Sequence, residues 1–146
     1  AMKSAGYIEI DRQNHEKALR SLELAALRIR EGKSVMTFPE GTRSRDGEIK
    51  AFKQGTFYLA IQAGAPIVPI SIIGSGEIMP KRSLKIKPGK VKLIIDKPIP
   101  VAGYSLENRH ELIDRVRQVI IRNYDAYRDA GKAGIKDVQT DTKTAL

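Results

Sequence analysis

Ser34-Val35-Met36-Thr37-Phe38-Pro39-Glu40-Gly41-Thr42-Arg43-Ser44 passes from an apolar run into a polar turn, and the rest of the chain reads outward from that change. Val35, Thr37 and Phe38 favour a pleated backbone, and Pro39, which has no N–H for a ladder, ends the predicted strand. Residues 39–51 are polar, with Gly41 and Gly47, and predict a loop. On the C-terminal side, the pattern predicts a helix from about residue 53 to residue 63, stopped by Gly64 and Pro66. Residues 67–73 are almost wholly apolar, which predicts a strand buried on both faces. On the N-terminal side, Asn14 is placed to cap a helix of about 18 residues, and Gly32 to stop it. Leu19, Leu22, Ala26 and Ile29 recur there at helical spacing, with Ala18 and Ala25 beside them. Before it, Gly6-Tyr7-Ile8-Glu9-Ile10-Asp11-Arg12 predicts a short strand. Strand, helix, strand, helix, strand implies an α/β fold with a mostly parallel sheet flanked by helices.

The second half adds a predicted basic β-hairpin. Leu84-Lys85-Ile86-Lys87 alternates, Pro88-Gly89 supplies a turn, and Val91-Lys92-Leu93-Ile94-Ile95 resumes, with Pro98 and Pro100 ending it. Lys81, Arg82, Lys85, Lys87, Lys90, Lys92 and Lys97 fall in this stretch, opposed only by Asp96. The lysines at 85, 87, 90 and 92 are expected to share one hairpin face. Ser105 is placed to cap a last helix, whose apolar stripe is Leu112, Ile113, Val116, Val119, Ile120 and Tyr124. Residues 1–130 then form one domain and residues 131–146 a polar tail.

The chain's 146 residues suit a single domain. It has no cysteine, which excludes disulfides, thiolate metal sites and cysteine nucleophiles. Two histidines, His15 and His110, argue against a metal centre. No apolar run is long enough to cross a bilayer. The formal net charge of +9 favours anionic partners. Aromatics are 5% of the residues and do not interleave with the basic run, so a base-stacking platform is unsupported and no nucleic-acid partner is expected.

Loops that leave strand ends in α/β folds are where ligands bind. Gly41 permits a tight turn and a close backbone approach. Thr42 and Ser44 offer hydroxyls, and Arg43 a permanently charged fork that suits phosphate. Glu40 either orients that arginine or accepts a hydrogen bond from a substrate hydroxyl. Lys53 and Gly55 follow at a predicted helix start, whose free N–H groups add to an anion site. On physics alone, an exposed turn with a surface ion pair accounts for the same residues.

Four stretches, in order, resemble the glycerophospholipid acyltransferase family, that of lysophosphatidic acid acyltransferase. Phe38-Pro39-Glu40-Gly41-Thr42-Arg43-Ser44 is similar to the family's third block, and residues 6–12, ending in Arg12, to its second. Phe52-Lys53-Gln54-Gly55 resembles the segment after the third block, and Ile67-Val68-Pro69-Ile70 the proline-containing fourth. The resemblance implies a glycerol-3-phosphate acyltransferase-like fold. It also implies transfer of a fatty acyl group from acyl-CoA or acyl-carrier protein to lysophosphatidic acid or a related glycerol phosphate, in phospholipid synthesis. Arg12 and Arg43 would hold the acceptor's phosphate, with Gly41 and Thr42 shaping the loop and Glu40 supporting it. Ser44, Lys53, Gly55 and Pro69 would be accessory. The bland readings are a salt bridge from Arg12 to Glu9 or Asp11, and a strand bend at Pro69. No bound cofactor or metal is implied.

The family's chemistry also uses a first block, a His followed five positions later by an Asp. That His is the general base, and the Asp fixes its tautomer. Here Arg20 stands five positions after His15, and Asp114 only four after His110. Both histidines are read as surface helix residues, so no catalytic residue is assigned. The chain is expected to be an N-terminally truncated acyltransferase that is inactive alone. The other reading is a non-catalytic phosphate or anionic-lipid binding module. A lipid acceptor and the lysines imply an anionic membrane surface on the cytoplasmic side, reached peripherally or through an anchor outside these residues. The same lysines also suit a solvated edge protected against aggregation.

Overall fold

A computed structural model describes residues 15–44, 47–79 and 85–132. The predicted strand over 6–12, Arg12, Asn14, Lys81, Arg82, Leu84 and most of the polar tail lie outside the described residues.

The first helix, α1, is His15–Arg30. It ends as its sequence dictates: Gly32 takes φ +86°. The Gly32 N–H then donates to the Ile29 carbonyl at 2.9 Å and the Lys33 N–H to that of Arg28 at 3.0 Å. These bonds satisfy carbonyls that the last turn would leave open. Buried Ala25 and Ala26, flanked by half-buried Leu22 and Ile29, pack on Leu59 and Ala63. Leu22, Ala26 and Ile29 of the expected stripe pack inward with Ala25, whereas Leu19, at its N-terminal edge, is 36% exposed. Two adjacent alanines let the backbones approach closely, and alanine costs no rotamer freedom when buried.

Residues 33–38 form no strand among the described residues, and Val35, Met36 and Phe38 are exposed. An apolar β-branched run makes a strand only where a neighbour accepts its ladder, and no described segment pairs with this one. The second helix, α2, is Gln54–Ala63, closed by Gly64 at φ +66°. It supplies Phe57 and Ala60 to the main core, which Ile99, Val101, Leu112 and Val116 complete. Leu112 has no exposed surface. Full burial of such a side chain stabilises the fold by about 1.5–3 kcal/mol.

The sheet among the described residues has two antiparallel strands, β1 (Ile70–Ile73) and β2 (Lys92–Ile95). Ile70 faces Ile95, Ser71 faces Ile94, Ile72 faces Leu93 and Ile73 faces Lys92. This corrects two expectations. The sheet described is not mostly parallel, and residues 92–95 pair with β1 while the described residues 85–87 form no strand. Pro88 cannot donate, and the Lys87 N–H is taken by the Ile78 carbonyl at 2.8 Å, so neither position donates to a hairpin ladder. The lysines therefore share no hairpin face, and the Lys92 ammonium sits 5.8 Å from the centre of the Tyr127 ring. Burial along 67–73 is also one-sided: Pro69, Ser71 and Ile73 are buried, whereas Val68 and Ile70 are exposed.

Between the strands lies a short helix, α3 (Ser75–Ile78). The last helix, α4, is Arg109–Lys132, and so continues past the predicted boundary at residue 130. Ser105 does not cap it directly; its hydroxyl accepts the Glu107 N–H at 3.2 Å within the turn before the helix. A hydrogen bond from the Ser105 side chain to the Glu107 carboxyl, one from Glu107's own backbone N–H and nearby Arg109 hold that carboxyl below the usual range. α4 covers one sheet face through polar contacts. The Asn123 amide donates to the hydroxyl of Ser71, which is 1% exposed, at 3.0 Å, and to the Asp96 carboxylate at 2.7 Å. The Tyr124 hydroxyl donates to the Ile72 carbonyl. Helices packed on a sheet place the chain in the α/β class.

Candidate functional site

The two described limbs of the segment, residues 39–44 and 47–53, are fastened separately. At its mouth the Lys53 N–H donates to the Pro39 carbonyl at 2.8 Å, which sets the start of α2 beside the turn. The Gly41 N–H donates to the Phe38 carbonyl at 2.9 Å, and Gly41 adopts φ +70°, where a side chain would be strained. The far limb is strapped to α4, where the Arg117 guanidinium donates to the Ile49 carbonyl at 2.9 Å. Sequence alone gave no signal for Arg117, because its partners are backbone carbonyls about seventy positions away.

Glu40 is turned into this frame. Its carboxylate accepts the Lys50 N–H at 3.1 Å and so bridges the two limbs. It also lies close enough to α4 to influence Tyr124, whose phenol is pushed up first by burial and then by the Glu40 charge. Here Glu40 braces the loop. Thr42 and Arg43 project at the exposed tip, and Ser44 is half-buried. An Arg43 guanidinium nitrogen lies 3.5 Å from the Met79 carbonyl, at the C-terminal end of α3. The tip of the loop thus meets the segment that follows β1, a neighbour the local sequence did not announce.

The other expected residues fall as follows. Arg12 lies outside the described residues, so the geometry here concerns Arg43 alone. Lys53 is exposed at the N-cap of α2, where its side chain caps nothing. The Cα of Gly55 faces α1, and an added Cβ would meet Leu22 at 3.9 Å, so its place is helix packing. Pro69 is buried, and its carbonyl accepts the Asp96 N–H at 3.0 Å as an extension of the sheet.

α3 carries a second device near the tip. Gly74 has φ +88°, and a Cβ there would lie 2.4 Å from the Lys90 carbonyl oxygen. A Cβ on Gly89 would lie 2.8 Å from the Ile78 side chain. Two glycines therefore let residues 87–90 close on α3, within one residue of the carbonyl that Arg43 approaches. What this arrangement offers chemically is an exposed guanidinium on a braced loop, with more cations carried alongside it.

Comparison with known proteins identifies the family. The acyltransferase family model matches residues 1–73. The chloroplastic 1-acyl-sn-glycerol-3-phosphate acyltransferase BAT2 of Brassica napus is 41% identical over 100 residues, covering 68% of this chain and 29% of that protein. The human 1-acyl-sn-glycerol-3-phosphate acyltransferase alpha is 32% identical over 131 residues, covering 89% of this chain and 46% of that protein. The crystal structure of the 1-acyl-sn-glycerophosphate acyltransferase PlsC from Thermotoga maritima superposes with a TM-score of 0.70 at 36% identity, covering 77% of this chain and 46% of that one. The chain thus spans less than half the length of these relatives. With a family model over half its length and a matching solved fold, this chain belongs to the acyltransferase family.

Proposed function

We propose that the chain provides the acceptor-phosphate side of a 1-acyl-sn-glycerol-3-phosphate acyltransferase, within a domain of residues 1–130. The parent enzyme would move a fatty acyl group from acyl-CoA or acyl-carrier protein to the free hydroxyl of lysophosphatidic acid or a related glycerol phosphate. In that reaction the hydroxyl oxygen attacks the thioester carbonyl, a thiolate leaves, and a general base takes the hydroxyl proton. The observation that supports the reading is the braced loop that presents Arg43 at its exposed tip. A guanidinium there can donate two parallel hydrogen bonds to a phosphate dianion. Arg12 would join it, Gly41 and Thr42 would shape the turn, and Glu40 would act by fixing the loop. Ser44, Lys53, Gly55 and Pro69 would act through packing and backbone position.

Within this sequence no His stands five positions before an Asp. Without that base the chain alone would not accelerate acyl transfer appreciably, since loss of a triad-type base costs on the order of 10⁴-fold or more. The same feature favours a second reading, a non-catalytic module that binds phosphate or anionic lipid. No helix among the described residues is long and apolar enough to cross a membrane. A lipid acceptor nonetheless places the work at a membrane surface, on its cytoplasmic side. The deciding experiment assays thioester-dependent acylation of lysophosphatidic acid by this chain, and by the chain joined to a segment bearing the His/Asp block. Turnover only in the joined form supports the proposal. Turnover by the chain alone would overturn the assignment of a missing base, and none in either would favour the binding module.

A further inference from the structure

Residues 85–90, held against α3, lie near the carbonyl that Arg43 approaches, and their composition is that of a lipid-facing surface. Lys85, Lys87 and Lys90 are all exposed. From residue 70 to residue 95 the single acid is Glu77. Between Lys85 and Lys87 stands Ile86, 74% exposed, and Met79 at the end of α3 is 47% exposed. The position of the stretch is fixed. The Lys87 N–H is bound to the Ile78 carbonyl, Gly89 packs on Ile78, and Gly74 lies against the Lys90 carbonyl. Met79, next along, is the residue whose carbonyl Arg43 approaches.

A soluble acidic partner would be met by cations alone. Isoleucine and methionine at the same rim instead suit the boundary between headgroups and acyl chains, where apolar side chains sink and lysines stay at phosphate level. We propose that Met79, Lys85, Ile86, Lys87 and Lys90 form a docking surface for a bilayer containing anionic phospholipid. Docking there holds the loop tip that carries Arg43 against the membrane. This rests on the reading of the loop as an acceptor-phosphate site, because it explains how a membrane-resident acceptor reaches Arg43.

The test is co-sedimentation of the full chain with phosphatidylcholine vesicles, with and without phosphatidylglycerol. Binding is expected only with phosphatidylglycerol, and it weakens as salt rises. Each lysine at an anionic surface multiplies partitioning about fivefold, so the triple variant K85Q/K87Q/K90Q is expected to bind on the order of 100-fold more weakly. The equally charged control R20Q/R122Q/R128Q, on α1 and α4, is expected to lose less than about tenfold. Ile86→Ser is expected to lower binding at least about fivefold without altering its salt dependence. Equal losses in the two triple variants would overturn the proposal in favour of diffuse charge. An Ile86→Ser variant that binds like the wild type would overturn it in favour of an acidic protein or a free phosphate. Failure of the acceptor reading is separate: Arg43→Ala would then leave binding of soluble glycerol 3-phosphate intact while the rim variants still lost vesicles.

Discussion

Gly74 is the position where one methyl group should loosen the candidate site without touching it. An alanine there meets two independent costs. The backbone is at φ +88°, and a left-handed conformation costs a residue with a Cβ about 1–2 kcal/mol. The new atom would also lie 2.4 Å from the Lys90 carbonyl oxygen, a backbone atom that cannot rotate away, and overpacking of that kind costs about 1–3 kcal/mol. Together Gly74→Ala should destabilise the chain by about 2–5 kcal/mol, a large share of a typical domain's stability. Gly76, two residues on, is the internal control: it is helical, and an added Cβ meets nothing within 4 Å. Gly76→Ala should be neutral or stabilising by up to about 1 kcal/mol. Urea unfolding followed by circular dichroism measures both, and Gly74→Ala should lower the midpoint by about 1–2 M. Equal midpoints for the two variants would show that residues 87–90 do not close on α3 as described, and with that the placement of the basic rim would fall.

Two further outcomes follow from the core and from the contact between α4 and the sheet. Leu112→Ala, at a side chain with no exposed surface, should cost about 2–5 kcal/mol in the same urea experiment, whereas Leu27→Ala on the outer side of α1 should stay within about 0.5 kcal/mol. Tyr124 carries a raised pKa, from burial first and Glu40 second, so the fold favours its neutral form. Its contribution to stability is complete below the unfolded value near pH 10 and is lost as pH rises through the higher folded value. Tyr124→Phe should therefore remove part of the alkaline fall in melting temperature; an unchanged pH profile would mean that the phenol does not titrate as its surroundings imply.

The helices were legible in the sequence because their signals are local. Gly32 and Gly64 mark the ends of α1 and α2 through their own backbone angles, and the stripe around Leu112 and Val116 follows the helical period. Strand pairing was not legible, because it depends on what arrives from elsewhere. Residues 91–95 alternate as an edge strand should, but their partner is β1, across α3, and not the neighbouring lysine-rich run. Pro88-Gly89 resembles a turn, yet in the fold Gly89 serves as a gap for Ile78. The candidate chemistry assigned to Glu40, Gly41, Thr42 and Arg43 rests on residue type, which the sequence carries. The contacts within the loop were not legible. Nothing near Glu40 in sequence says that its carboxylate binds the Lys50 N–H, or that Arg117 straps the loop from α4.

The central claim is that the tip of the loop grips a phosphate through Arg43. Calorimetric titration of glycerol 3-phosphate into the chain and into its Arg43→Ala variant tests it directly. A charge-assisted hydrogen bond to a dianion is worth about 1.5–3 kcal/mol, so the variant should bind at least about tenfold more weakly while unfolding at the same urea concentration. Equal affinity in the two proteins would contradict the claim.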